Sequence, residues 1–344
     1  MFRMYNRRYT GSKYKLMEWI KPLILENCSG ETFFDVFAGT GVVTEYLTGD
    51  FKNFIMNDFL YSNQVIYNGF LLQKKYDSNK LSKLALQYNN IEKSKLKENY
   101  ISKNFGSKYF NKEDAKLIGY IREEIEELFK TKEINQKEYY ILISSLLFSA
   151  DRISNTCGHY DAYLRKKEIR SSFKYELISP ITLEQDQNIK IYSEDANKLS
   201  RRIKADIAFI DPPYNSRQYS RFYHVLENIS KWEKPELFGT ALKPKEENMS
   251  AYCKTSAPVV LKDLVDHLKV SYLVVTYNNT YASKSSSSKN KITLEQIQEI
   301  LENVGETKVF DKPYKFFNAG KTDFSGHKEY LFITKVENDE KECN

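Results

Sequence analysis

The chain has 344 residues, enough for one large core or two smaller ones, and its 41% apolar and 28% charged composition excludes a disordered chain. Its formal charge of +6 is uneven: residues 71–190 hold 22 Lys and Arg against 17 Asp and Glu, a surplus of 5, which leaves +1 for the other 224 residues. Cys28, Cys157, Cys253 and Cys343 form no C-x-x-C pair, which argues against a disulfide framework or a zinc site and suits a reducing cytosol.

The N-terminal stretch MFRMYNRRYTGSKYK lacks the apolar segment of a signal peptide. Residues 32–37, TFFDVF, predict a short strand running into the glycine turn AGTG, and GVVTEYL predicts a helix start. NFIMND (53–58) predicts a second strand that ends in an acid. Strand, glycine turn, helix and acid-ended strand open a doubly wound α/β domain.

From residue 71 to 187 this alternation stops. KEDAKLIGYIREEIEELFK (112–130) sets Ile118, Ile121, Ile125 and Leu128 at helical spacing. YYILISSLLFSA (139–150) predicts a buried helix, too short and too rich in serine to span a bilayer. A polar loop, SNTCGHYDAYLRKKEIRSS, follows. Alternation resumes with NIKIYSED (188–195) and DIAFID (206–211) as parallel strands, joined by a short helix in ANKLSRRIK.

Beyond them, YSRFYHVLENISKW (219–232) suits one helix and VSYLVVTYNN (270–279) a buried strand. SKSSSSKN (283–290) reads as a loop, TLEQIQEILENVG (293–305) as a helix stopped by its glycine, and EYLFITKV (329–336) as a last strand. The expected organisation is a catalytic domain of residues 1–70 and 188–337, interrupted by an inserted, mostly helical domain at 71–187. Residues 338–344 are expected to form a frayed tail.

FAGTG (37–41) is not the dinucleotide fingerprint, because Thr44 stands where the third glycine would be. A tight strand-to-helix turn needs glycines on steric grounds alone. Asp58 follows Gly41 by 17 residues, close to where a nucleotide ribose finds its acceptor. An unphosphorylated ribose and a cationic methionine tail both tolerate an acid there, so S-adenosylmethionine suits this signal at least as well as NAD.

The sharpest signal is DPPY (211–214), at the carboxyl end of an expected strand. The prolines fix the backbone, so Asp211 and the carbonyl of Pro212 can together accept both hydrogens of an exocyclic amino group. Tyr214 is expected to lend a flat face to a planar base. Two acceptors on the N–H bonds return the lone pair to the nitrogen, which can then attack a methyl donor held in line.

In these motifs the chain resembles the S-adenosylmethionine-dependent DNA adenine methylases of the alpha group. RYTGSK (8–13) resembles their N-terminal cofactor motif, FAGTG the glycine motif, NDF (57–59) the ribose acid and SEDA (193–196) the segment bordering the cofactor's adenine. DPPY resembles the catalytic motif and KEYLFIT (328–334) the final strand. NTCGHYDAYLRK (155–166) and NSRQYSRFYHVLEN (215–228) look like a restriction–modification subset.

The resemblance implies a Rossmann-like methyltransferase sheet with helices on both faces, interrupted by a target-recognition domain. It implies S-adenosylmethionine as cofactor with no metal, duplex DNA as partner, and methylation of N6 of a flipped adenine. A cognate endonuclease acting separately and a cytoplasmic location go with it. Tyr9, Lys13, Phe37, Gly39, Gly41, Asp58, Asp195 and Asp211 would contact the cofactor. Asp211, Pro212, Pro213 and Tyr214 would form the catalytic segment.

Arg217 and Arg221 follow that segment and are candidates for gripping the strand around a flipped base. Arg165, Lys166, Lys167 and Arg170, with only Glu168 among them, are either a solvated face or phosphate contacts. His224 reads as a packing or backbone-contacting histidine, since this chemistry needs no strong base. His159 stays ambiguous between structure and DNA contact. Methylation of RNA adenosine or of cytosine N4, a catalytically silent DNA-binding module and a nicotinamide oxidoreductase are the competing readings.

Overall fold

The computed structural model describes residues 2–165, 168–280, 289–314 and 326–337. Lys166, Lys167, most of the serine-rich loop and the tail 338–344 lie outside the described residues. Seven strands form one sheet: β1 (Thr32–Asp35), β2 (Asn53–Asn57), β3 (Asn188–Tyr192), β4 (Ile207–Ile210), β5 (Tyr272–Asn278), β6 (Gly305–Pro313) and β7 (Lys328–Val336). Their order is β3-β2-β1-β4-β5-β7-β6. The first five are parallel, and β7 runs antiparallel to both β5 and β6.

Apolar alternation along the central strands feeds two cores. Phe33, Phe54, Phe209 and Val274 point to one face, where α1 (Met17–Asn27) and α2 (Val42–Leu47) cover them. Phe34, Ile55, Ala208, Ile210 and Val275 point to the other, under α8 (Ala196–Ser200), α11 (Ala257–His267) and α12 (Leu294–Glu302). This is the expected α/β sheet with helices on both faces.

The interval between β2 and β3 is helical: α3 (Tyr61–Leu71), α4 (Ser78–Asn89), α5 (Tyr100–Phe105), α6 (Lys112–Lys130) and α7 (Gln136–Ile153). Local chemistry sets its boundaries. Asn111 caps α6 by accepting from the Glu113 and Asp114 amides, and Asn135 with Glu138 forms a reciprocal capping box on α7. Ile118, Ile121 and Ile125 are buried, as their spacing predicts. Their core is continuous with Met56, Leu60 and Ala38 beside the glycine turn.

Two elements differ from the sequence reading. Residues 219–232 are two helices, α9 (Tyr219–Phe222) and α10 (His224–Lys231), because Tyr223 leaves helical geometry at φ −114°, ψ 21°. Gly305 does not stop the chain; it begins β6, a strand without one buried residue and therefore with little apolar signal. Among the described residues no helix is long and apolar enough to cross a membrane.

The crossing of α3 on α7 depends on a missing side chain. A Cβ at Gly69 in α3 would lie 2.3 Å from Ser144 Oγ and 2.9 Å from the Tyr140 carbonyl oxygen of α7. Gly69→Ala is expected to destabilise the protein by about 1–3 kcal/mol, measured by urea unfolding. Adding Ser144→Ala should not restore stability, because the backbone carbonyl still collides.

Candidate active site

The carboxyl ends of β1, β2 and β4 surround an open cleft lined by the N-terminal segment, the glycine turn and the segment after β4. The glycine turn builds its floor. Gly39 (φ +54°) and Gly41 (φ +76°) hold left-handed backbone conformations, and Gly41 caps the start of α2. A Cβ at Gly39 would press to 3.3 Å from the Tyr9 ring.

Asp58, just past β2, fixes this turn. Its Oδ2 accepts the Gly39 N–H and its Oδ1 the Leu60 N–H, each at 2.9 Å. Tyr67 Oη (2.7 Å) and Arg7 hold the Gly39 carbonyl from the other side. Each carboxylate oxygen has a second lone pair, so Asp58 keeps capacity for a ligand's hydroxyls. Burial raises its pKa, opposed chiefly by the Leu60 and Gly39 amides.

Asp35, at the end of β1, is an acid the sequence reading passed over. It is 1% exposed, lines the cleft and accepts from Thr44 Oγ1 at 2.9 Å through Oδ2. Its other oxygen, Oδ1, is buried without a partner, as is the hydroxyl of Thr40 beside it. Burial pushes the Asp35 carboxyl up to about 7. An acid within an apolar run carries no periodic signal, which is why it was missed.

Asp211 follows β4 and faces this floor. Three donors converge on its Oδ1: Lys13 Nζ at 2.9 Å, Tyr214 Oη at 2.6 Å and Thr276 Oγ1 at 2.9 Å. They leave Oδ2 as the oxygen available to a substrate. Pro213 lines the cleft and Pro212 is buried behind it.

Tyr214 is turned inward. Its ring packs 4.4 Å from that of Tyr277 and under the Lys13 ammonium at 4.9 Å, and it does not line the cleft. The aromatic wall comes instead from Tyr9 and Tyr219, backed by Tyr223, which stacks on Tyr9 at 4.8 Å and 8°. Tyr219 and Tyr223 were missed as site residues because only the N-terminal segment, far away in sequence, brings Tyr9 to them.

The remaining residues sit farther out. Phe37 lines the cleft edge-on to Tyr252, whereas Asp195 caps α8 through the Lys198 amide and is not in the lining. Arg217 lies over the Phe222 ring, whose stacking partner is His159 at 4.5 Å. Arg221 donates to the Pro244 carbonyl at 2.7 Å. Arg165 is exposed. His224 sets its two ring nitrogens against the Arg221 and Ala241 carbonyls, as a backbone-contacting histidine does, while burial pushes its pKa down to about 4.

Arg8, beside Tyr9, donates to the carbonyls of Thr156, Ser154 and Asp151 and to Ser154 Oγ. It ties the N-terminal segment to the loop that leaves α7. Among the described residues no group of three or more His, Cys, Asp or Glu is placed to hold a metal.

The sheet order, with its antiparallel seventh strand and a ligand cleft across the parallel strand ends, defines a Rossmann-like methyltransferase fold. The model for the D12 class of N6 adenine-specific DNA methyltransferases matches residues 9–300, and the chain belongs to that family. It is 31% identical over 350 residues to type II methyltransferase M.NlaIII of Neisseria lactamica, covering 94% of this chain and 98% of that one. It is 33% identical over 288 residues to modification methylase LlaI of Lactococcus lactis subsp. lactis, covering 79% of this chain and 46% of that one. Type II methyltransferase M.FokI of Planomicrobium okeanokoites is 31% identical over 350 residues, covering 94% and 52%. The chain thus spans about half the length of two of these relatives and nearly all of the third.

Asp58→Ala leaves the Gly39 and Leu60 amides without their acceptor and is expected to cost about 2–4 kcal/mol in urea unfolding. Asp58→Asn keeps one acceptor oxygen and should cost roughly half as much.

Proposed function

We propose that the protein transfers a methyl group from S-adenosylmethionine to N6 of an adenine flipped out of duplex DNA, as the modification component of a restriction–modification system. The observation that carries this reading is Asp211. It is a carboxylate at a strand end, in the lining of a cleft beside a glycine turn, whose Oδ1 is filled by three donors while Oδ2 takes no hydrogen bond from the described residues.

The cofactor fits the residues present. A cationic ligand with an ammonium group would supply donors to the orphaned Asp35 Oδ1 and Thr40 Oγ1. Asp58 has lone pairs for ribose hydroxyls, and the Tyr9 and Phe37 rings offer flat apolar surface in the same cleft. Bound S-adenosylmethionine would supply an electrophilic methyl group on a cationic sulfur.

The chain's own part is positioning and charge. Asp211 Oδ2 and the Pro212 carbonyl hold the two N6 hydrogens and stabilise the positive charge that grows on the nitrogen. With S-adenosylmethionine bound, its methyl carbon would pass to the nitrogen as the carbon–sulfur bond broke, leaving S-adenosylhomocysteine as the neutral thioether, and one N6 proton would leave by way of the Asp211 carboxylate to water. Tyr219, rather than Tyr214, gives the entering base its stacking surface.

Residues 71–187 are the target-recognition part in this reading, with Arg165, Lys166 and Lys167 meeting phosphates and Arg217 and Arg221 bordering the flipped nucleotide. The names of the relatives, as type II or modification methylases, support a separately acting endonuclease partner.

The test is nucleoside analysis of amplified, modification-free genomic DNA after incubation with the protein and methyl-labelled S-adenosylmethionine. Label should appear in N6-methyladenine and vanish with Asp211→Ala. Label in N4-methylcytosine, or in RNA alone, would overturn the reading.

A further inference from the structure

One charged group close to Asp211 has no part in the account so far. Glu329, the second residue of β7, lies directly opposite Asn278 of β5. It is 6% exposed; its Oε1 accepts from Asn278 Nδ2 at 3.4 Å, and its Oε2 is buried with no hydrogen-bond partner among the described residues. An unpartnered carboxylate oxygen in the interior is costly, so its retention calls for a partner that arrives in another state.

The cation that acts on Glu329 is Lys13. Its ammonium, on a residue 4% exposed, is paired with Asp211 and interacts favourably with Glu329 as well. While it sits on Oδ1 it offsets the negative charge that an acceptor amino group needs from Asp211. It is also a like charge beside the nitrogen that becomes positive during methyl transfer. Withdrawing the buried ammonium from Asp211 with no second carboxylate to receive it would be prohibitive.

We propose that Glu329 is a positioning residue that receives the Lys13 ammonium when the acceptor amino group reaches Asp211. Lys13 then exchanges one buried carboxylate for another, and Asp211 turns its full charge on the substrate. No bond is made or broken in this step. The inference rests on the methyl-transfer reading above.

The exchange needs an ionised Glu329. Its carboxyl is raised to about 7, mainly by burial, with Lys13 pulling it down and Asp211 pushing it up. Tyr214 from the β4 end and Tyr314 after β6 also face it, and Asn278 is its neutral neighbour on β5. Below about pH 7 Glu329 binds a proton and cannot take the ammonium, so turnover should fall on the acid side and be complete above it.

The experiment compares kcat on DNA from pH 5.5 to 8.5 for wild type, Glu329→Gln and Glu329→Asp, with S-adenosylmethionine affinity measured by calorimetry without DNA. Wild type should lose turnover below about pH 7. Glu329→Gln should lose tenfold or more at pH 8, lack the acid limb and bind S-adenosylmethionine within about threefold of wild type; Glu329→Asp should recover part of the rate together with the limb. Glu329→Gln with the wild-type rate at pH 8, or with the acid limb intact, would overturn the proposal and assign the limb to Asp35. Wild type methylating no DNA at any pH would instead sink the underlying reading.

Discussion

The site is organised around one oxygen atom. Lys13, Tyr214 and Thr276 arrive from an N-terminal segment, the turn after β4 and the strand β5, and all three donate to Asp211 Oδ1. With that oxygen saturated before substrate arrives, the carboxyl group cannot rotate without breaking three contacts, and the Tyr214 and Thr276 hydroxyls still hold its direction when Lys13 moves to Glu329. A group whose chemistry is electrostatic must be held before substrate arrives, and converging donors of this kind hold it. The prolines at 212 and 213 do the same for the neighbouring carbonyl by restricting the backbone.

The N-terminal segment couples the parts of this arrangement. Within seven residues, Arg7 braces the glycine turn, Arg8 grips the loop after α7, Tyr9 stacks on Tyr223 and Lys13 pairs with Asp211. A strand could not distribute its side chains this way, since alternation would send them to two faces only. An irregular segment can, provided its backbone groups find partners. Thr10 donates its N–H to Tyr223 Oη, and that contact accompanies the break between α9 and α10.

Much of this was legible in the sequence. The central strands are short apolar runs that end in an acid or a glycine turn, and Asp58 and Asp211 stand out by position alone. Helix α6 shows its burial by period and α7 by its apolar run, whereas their asparagine caps emerged only in the structure. The rest needed tertiary context. β6 is a solvent-facing edge strand without a buried residue, so no pattern marks it. Tyr214 points inward because Tyr277 and Lys13, remote in sequence, receive its ring. Asp35 and Glu329 are buried acids inside strand sequences, and periodicity does not separate a buried acid from an exposed one.

Replacement of Asp211 by Asn gives the most direct measurement of the central claim. The three donors require an oxygen at the Oδ1 position, so the amide nitrogen is forced to face the substrate and an acceptor becomes a donor. Single-turnover methylation by Asp211→Asn should fall at least a thousandfold, about 4 kcal/mol of lost transition-state stabilisation, while S-adenosylmethionine affinity changes less than threefold. Turnover within tenfold of wild type would contradict the account.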